Sequence, residues 1–119
     1  MQEDLINNNP ILKLTFDFSL LVIEYCEQLQ ELKKFVLSNQ LFKSGTSIGA
    51  NAMEAQNAES KADFIHKMKV AAKEASETLY WLILCERSKS YPFTQQLKID
   101  LEQIIRILSK IISSSKANV

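Results

Sequence analysis

A chain of 119 residues that is 46% hydrophobic and 24% charged has the length of one domain and buries a core without disulfide staples. Fourteen basic side chains balance fourteen acidic ones, which weighs against a generic polyanion binder, and two cysteines are too few for a disulfide framework, so a reducing compartment is expected. Two glycines and two prolines favour long uninterrupted helices over a strand-rich fold with its many turns. Glu3 and Asp4 stand where a signal peptide would be basic, and no apolar run approaches the length of a bilayer span. A cytoplasmic protein without membrane contact is the expectation.

The predicted elements, in chain order, are four helices over residues 10–37, 40–57, 61–88 and 94–113, all within a single domain, 1–119. Asn7 to Asn9 read as a polar leader, with Asn9 as N-cap and Pro10 at the first helical position. Leu14, Phe18, Val22, Tyr25, Leu29, Leu32 and Val36 then recur at three- and four-residue steps and define a core face. Ser38 and Asn39 are the predicted break, short enough to make the second helix an antiparallel neighbour. In that helix Leu41, Gly45, Ile48, Ala52 and Ala55 form a packing stripe, and its small members permit close approach of another helix. Ser60, followed three residues on by Asp63, reads as a capping-box-like start to the third helix. There Ile65, Met68, Ala72, Ala75, Leu79 and Leu82 face the core. The fourth helix shows Leu97, Leu101, Ile104, Leu108 and Ile111 on one face, before a polar, frayed tail. These elements predict an all-α, antiparallel up-down-up-down four-helix bundle.

Two helices carry more apolar surface than one bundle core needs. Leu12, Phe16, Leu20 and Ile23 form a second stripe nearly opposite the first, and Val70, Trp81 and Leu84 cluster on the far side of the third helix. Exposed patches of this kind mark interfaces, so a homo-oligomer is expected, against the alternative of a wide intramolecular core.

Chemistry-bearing motifs are sparse. His66 and Asp63 share a helix face but lack the further ligands of a metal site, so no metal or cofactor is expected. Cys26 and Cys85 have no C-x-x-C spacing and read as packing thiols. No nucleophile elbow, phosphate loop or dinucleotide fingerprint is present, and no enzymatic activity is expected. A polar stripe on the second helix, Ser44, Ser47, Asn51 and Glu54, is the best candidate for something beyond packing, with Glu77 placed to meet it across the bundle. Its plainer reading is a set of groups that satisfy one another and fix helix register. Lys43, Lys67, Lys69 and Lys73 are candidates for phosphate contacts, against the default of an ordinary solvated face.

The stretch from Gln40 to Ala55, Gln-Leu-Phe-Lys-Ser-Gly-Thr-Ser-Ile-Gly-Ala-Asn-Ala-Met-Glu-Ala, resembles the signature of the 23S rRNA intervening-sequence proteins. The continuation Ser60 to Met68, Ala71 to Ala75 and Glu77-Thr78 resembles the same family. The resemblance implies a bacterial four-helix bundle that associates into a pentameric ring, with no known enzymatic activity and a connection to RNA. The accessory proteins of diversity-generating retroelements are similar in fold, and they imply nucleic-acid binding on a basic surface beside a protein partner. Carried over by position, the family's polar positions fall on Ser44, Ser47, Asn51 and Glu54.

Two functional readings follow: an oligomer that binds RNA or DNA, or a protein-interaction scaffold with no direct nucleic-acid contact. The neutral total does not separate them, because it is a cancellation. Residues 1–31 carry one basic and six acidic side chains, and the remainder carries thirteen and eight.

Overall fold

The computed structural model describes residues 2–117, and every regular element among them is an α-helix. Helix α1 spans Gln2–Asn8, α2 Pro10–Glu31, α3 Phe35–Ala55, α4 Lys61–Arg87 and α5 Gln95–Ala117. The first is an addition: a seven-residue helix with no buried side chain that takes in Asn7 and Asn8 of the expected polar leader. Pro10 separates α1 from α2, because a residue before proline is driven out of the helical region, and Asn9 accordingly sits at φ −112° and ψ 114°. Its side-chain oxygen accepts from the Leu12 N–H at 3.4 Å, the cap expected from the sequence.

The break between the next two helices falls earlier than the sequence suggests. Helix α2 ends at Glu31, and Ser38 lies inside α3. The Lys33 N–H donates to the Gln30 carbonyl at 2.9 Å and the Lys34 N–H to the Leu29 carbonyl at 2.8 Å. This is a Schellman stop whose left-handed residue, ordinarily glycine, is Lys33 at φ 61°. Leu32 and Val36, expected on the core face, are therefore exposed, Val36 to 80%.

Elsewhere the predicted faces hold with small rotations. Phe18, Val22, Tyr25 and Leu29 on α2 are buried, joined by Ile11, Thr15 and Cys26, while Leu14 is only partly covered. All five members of the α3 packing stripe are buried, together with Ser38 and Ser44. On α4 the buried line is Met68, Ala71, Ala75, Thr78, Leu82 and Cys85, so the expected Ala72 and Leu79 are edge positions. Leu97, Leu101, Ile104 and Leu108 are buried on α5, which continues beyond residue 113 to Ala117. The Ser60 hydroxyl accepts from the Asp63 N–H at 3.0 Å, capping α4. The Asp63 carboxylate in turn accepts from the Glu59 N–H at 3.2 Å.

Cross-helix contacts tie the bundle together. Gly45 is required where α3 packs against Val22 of α2, since a β-carbon there would lie 2.9 Å from both of its γ-carbons. That closeness justifies a glycine that costs about 1 kcal/mol in a helix interior. One turn from that approach, the Cys26 thiol donates to the Ser38 carbonyl at 3.4 Å and the Ser38 hydroxyl donates to the Cys26 carbonyl at 3.2 Å. The Tyr25 hydroxyl donates to the Pro92 carbonyl at 2.9 Å and fastens the α4–α5 connection to α2.

Candidate functional site

The polar stripe on α3 is largely committed to the protein's own backbone. The Ser47 hydroxyl donates to the Lys43 carbonyl at 2.6 Å, and the Asn51 amide donates to the Ser47 carbonyl at 2.8 Å. Ser44 is fully buried, and its hydroxyl shares a 2.8 Å hydrogen bond with Thr78 of α4, which also contacts the Glu74 carbonyl at 2.8 Å. Glu77 does not meet the stripe across the bundle. It is exposed and accepts from the Trp81 Nε1–H on its own helix at 3.3 Å, because helical rotation gives the inward position to its neighbour Thr78. Glu54 is exposed too, at the α3–α4 end, in a shallow hollow with Asn57, Glu59, Asp63 and Lys67.

Ser44 and Thr78 thus form a buried polar pair whose loss has a defined signature. Thr78→Val keeps the shape and removes the hydroxyl, leaving Ser44 short of its cross-helix partner, and is expected to cost about 1–3 kcal/mol in urea unfolding. Ser44→Ala in the same chain is expected to return part of that loss, giving a coupling energy in the double-mutant cycle. Full additivity of the two changes would remove the register role assigned to the pair.

The candidate lysines do not converge as one group. Lys67 is 3.8 Å from the Asp63 carboxylate and lies among acidic neighbours. Lys43 is exposed on α3 beside Ser44, level with Thr78, which stands nine residues along α4 from Lys69, about 13 Å at 1.5 Å per residue. Lys69 and Lys73 are exposed one turn apart on the outer side of α4, beside the exposed His66. Lys116 of α5 joins them. Its amine is held below the ordinary lysine range, first by hydrogen-bonding approach to the Lys69 amine and then by repulsion between the two charges. Sequence reading missed Lys116 because the three serines before it are weak helix formers and suggested an unravelled tail.

The apolar candidates also divide. Phe16, Leu20 and Ile23 on α2 are 46%, 48% and 36% exposed, but Leu12 is 2% exposed. Leu12 is thereby withdrawn from any free surface: the stripe dips into the core at its N-terminal end, where α2 is tied to α3 through Asn9 and Gln56. Phe16 and Ile23, but not Leu20, line a groove of about 340 Å³ whose walls also include Ile6, Leu12, Ala50 and Met53. Val70 and Trp81 on α4 are half-buried and Leu84 is 38% exposed. Asp17, Glu24, Glu27 and Glu31 are all exposed on α2, so the acidic first part of the chain is acidic at its surface.

Both thiols are buried. Burial pushes the Cys26 thiol up to about 11, with the Ser38 hydrogen bond working against it, and raises Cys85 as well. That is the environment of packing cysteines rather than of thiolate nucleophiles. No helix among the described residues is long and apolar enough to cross a membrane.

The protein is thus an all-α helical bundle whose polar core groups are consumed in its own packing. Over residues 7–113 the chain matches the 23S rRNA-intervening sequence proteins, and it belongs to that family. It is also similar to the crystal structure of a protein of unknown function from the S23 ribosomal protein family of Bacteroides thetaiotaomicron. The likeness has a TM-score of 0.82 at 38% identity and covers 86% of this chain and 97% of that one. No curated protein matches the chain.

Proposed function

We propose that the protein is a non-enzymatic, cytoplasmic assembly protein that contacts RNA or DNA through the outer face of α4 and the end of α5. Its unit is an antiparallel up-down-up-down four-helix bundle formed by α2 to α5. Paired positions support that topology, since numbers rise along one helix as they fall along the next: Val22 with Gly45 and Cys26 with Ser38, then Lys69 with Lys116 and Glu86 with Lys98. The units associate through the apolar stripe Phe16, Leu20 and Ile23, and the resemblance to the family makes a pentameric ring the expected assembly.

The observation that carries the nucleic-acid reading is the exposure of Lys69 and Lys73 one turn apart on α4, with Lys116 of α5 near enough to Lys69 to have its own pKa lowered. Like charges that approach one another repel, and a phosphate between Lys69 and Lys116 relieves that repulsion while Lys73 takes the next one. Lys43 and Lys67 are outlying contacts at most, given their positions. The family's name, with its link to rRNA, agrees with this reading. In the double variant Lys69→Glu/Lys73→Glu, affinity for a structured RNA is expected to fall and the slope of log K against log salt to flatten by about 2. An unchanged slope and affinity would remove the proposed surface.

The apolar groove beside α1 favours a second reading, a scaffold that docks a protein partner without touching nucleic acid. A partner retained after nuclease treatment, with no RNA binding at low salt, selects it.

A further inference from the structure

We propose that the cleft at the α2–α3 turn is a stacking subsite for an unpaired base of single-stranded RNA or DNA, with Lys33 and Lys34 holding the adjoining phosphate. This rests on the nucleic-acid reading above but uses a separate surface, since Trp81 stands twelve residues along α4 from Lys69, about 18 Å.

The cleft is shallow and open, with a volume of about 600 Å³, and brings together Lys33, Lys34, Phe35, Gln40, Trp81 and Tyr91, and no acidic side chain lines it. Three aromatic rings and two cations around one opening match a polyanion with accessible bases, because bases stack on aromatic faces and phosphates pair with amines. The platform is built rather than incidental. Trp81 is oriented by its Nε1–H donating to the Glu77 carboxylate at 3.3 Å and by an edge-to-face contact with Tyr80, whose ring centroid is 5.4 Å away. The Lys34 amine sits 5.0 Å from the centroid of the Tyr91 ring, which keeps its charge at the cleft. Phe35, the first residue of α3, lines the cleft and is 54% exposed, so its ring is accessible there. Lys33 stands at the left-handed position of the Schellman stop, where glycine would fit without strain and would carry no charge. The Gln40 side chain supplies donor and acceptor groups for a base edge.

Trp81 is the chain's single tryptophan, so its emission reports this cleft alone. The full-length protein is titrated with an oligouridylate about 12 nucleotides long and, separately, with a blunt RNA duplex of equal length, following tryptophan emission and the anisotropy of labelled strands. Saturable quenching by the single strand and none by the duplex is expected. Phe35→Ala, in a fold checked by circular dichroism, should weaken single-strand binding by roughly 5- to 150-fold, the range for loss of one stacked base. Lys34→Ala should weaken it as well, while Lys69→Glu/Lys73→Glu should leave the quenching amplitude intact. Strand binding seen by anisotropy without quenching overturns the subsite and leaves the lysine surface standing. Absence of binding to either RNA removes both. Quenching that depends on protein concentration alone, without RNA, assigns the cleft to self-association and overturns the subsite.

Discussion

Phe18→Ala is expected to lower the unfolding free energy by about 3–5 kcal/mol, a large part of the 5–15 kcal/mol that holds an ordinary domain together. Phe18 is 1% exposed, the largest fully buried side chain of the core. Truncation there removes apolar transfer energy and leaves a cavity that neighbours held in rotamer minima cannot fill. Phe16, two positions earlier, is 46% exposed and provides the control. Phe16→Ala is expected to change the unfolding free energy of the subunit by no more than about 0.5 kcal/mol, measured for both variants and the parent at a concentration low enough to keep the chain unassembled. Urea unfolding followed by circular dichroism separates the two, and equal effects would contradict the division of α2 into a core face and a free face.

Leu20→Asp is expected to dissociate the assembly while leaving each subunit folded. Leu20 is 48% exposed in the isolated chain, so a carboxylate there is solvated in the monomer. In an assembly that covers the stripe, the same carboxylate is buried without a partner, at a cost of about 3–5 kcal/mol per interface. Exposed Glu24 and Glu27, close by on α2, add like-charge repulsion. Light scattering at micromolar concentration should show an oligomer for the parent chain and a monomer for the variant. A parent chain that is itself monomeric would sink the assembly proposal, and a variant that keeps the parent's mass would move the interface elsewhere.

The helices and their buried faces were legible because apolar side chains recur with helical period and almost nothing interrupts them. Phe18, Val22, Ile48, Met68, Leu82, Leu101 and Leu108 are all buried, where periodicity puts them. The α2–α3 break was misplaced for a physical reason: the usual stop signal is glycine, and here a lysine adopts the left-handed conformation. The apolar period also runs on through the turn at Leu32 and Val36 and conceals it. Helix α1 was hidden because a short helix with no buried residue has no amphipathic signal to read.

The site was less legible, because proximity between helices depends on rotation. An error of one residue, about 100° on α4, exchanges Glu77 for Thr78 as the partner of the α3 stripe. It also exchanges a carboxylate facing a polar network for a buried hydroxyl pair. The lysines show the same effect, for Lys67 turns toward Asp63 while Lys69 and Lys73 face outward, and the cation that comes near Lys69 lies at the far end of the chain. The neutral composition likewise concealed an uneven distribution, with Asp17, Glu24, Glu27 and Glu31 exposed on α2 and Lys69, Lys73 and Lys116 exposed on α4 and α5.

The most direct test of the central claim is the salt dependence of binding between the assembled protein and a structured fragment of large-subunit rRNA. If Lys69, Lys73 and Lys116 each neutralise one phosphate, log K should fall against log salt with a slope of about −2.7 per engaged subunit on duplex-like RNA. Binding that is flat from low to physiological salt, or absent at both, would contradict the account.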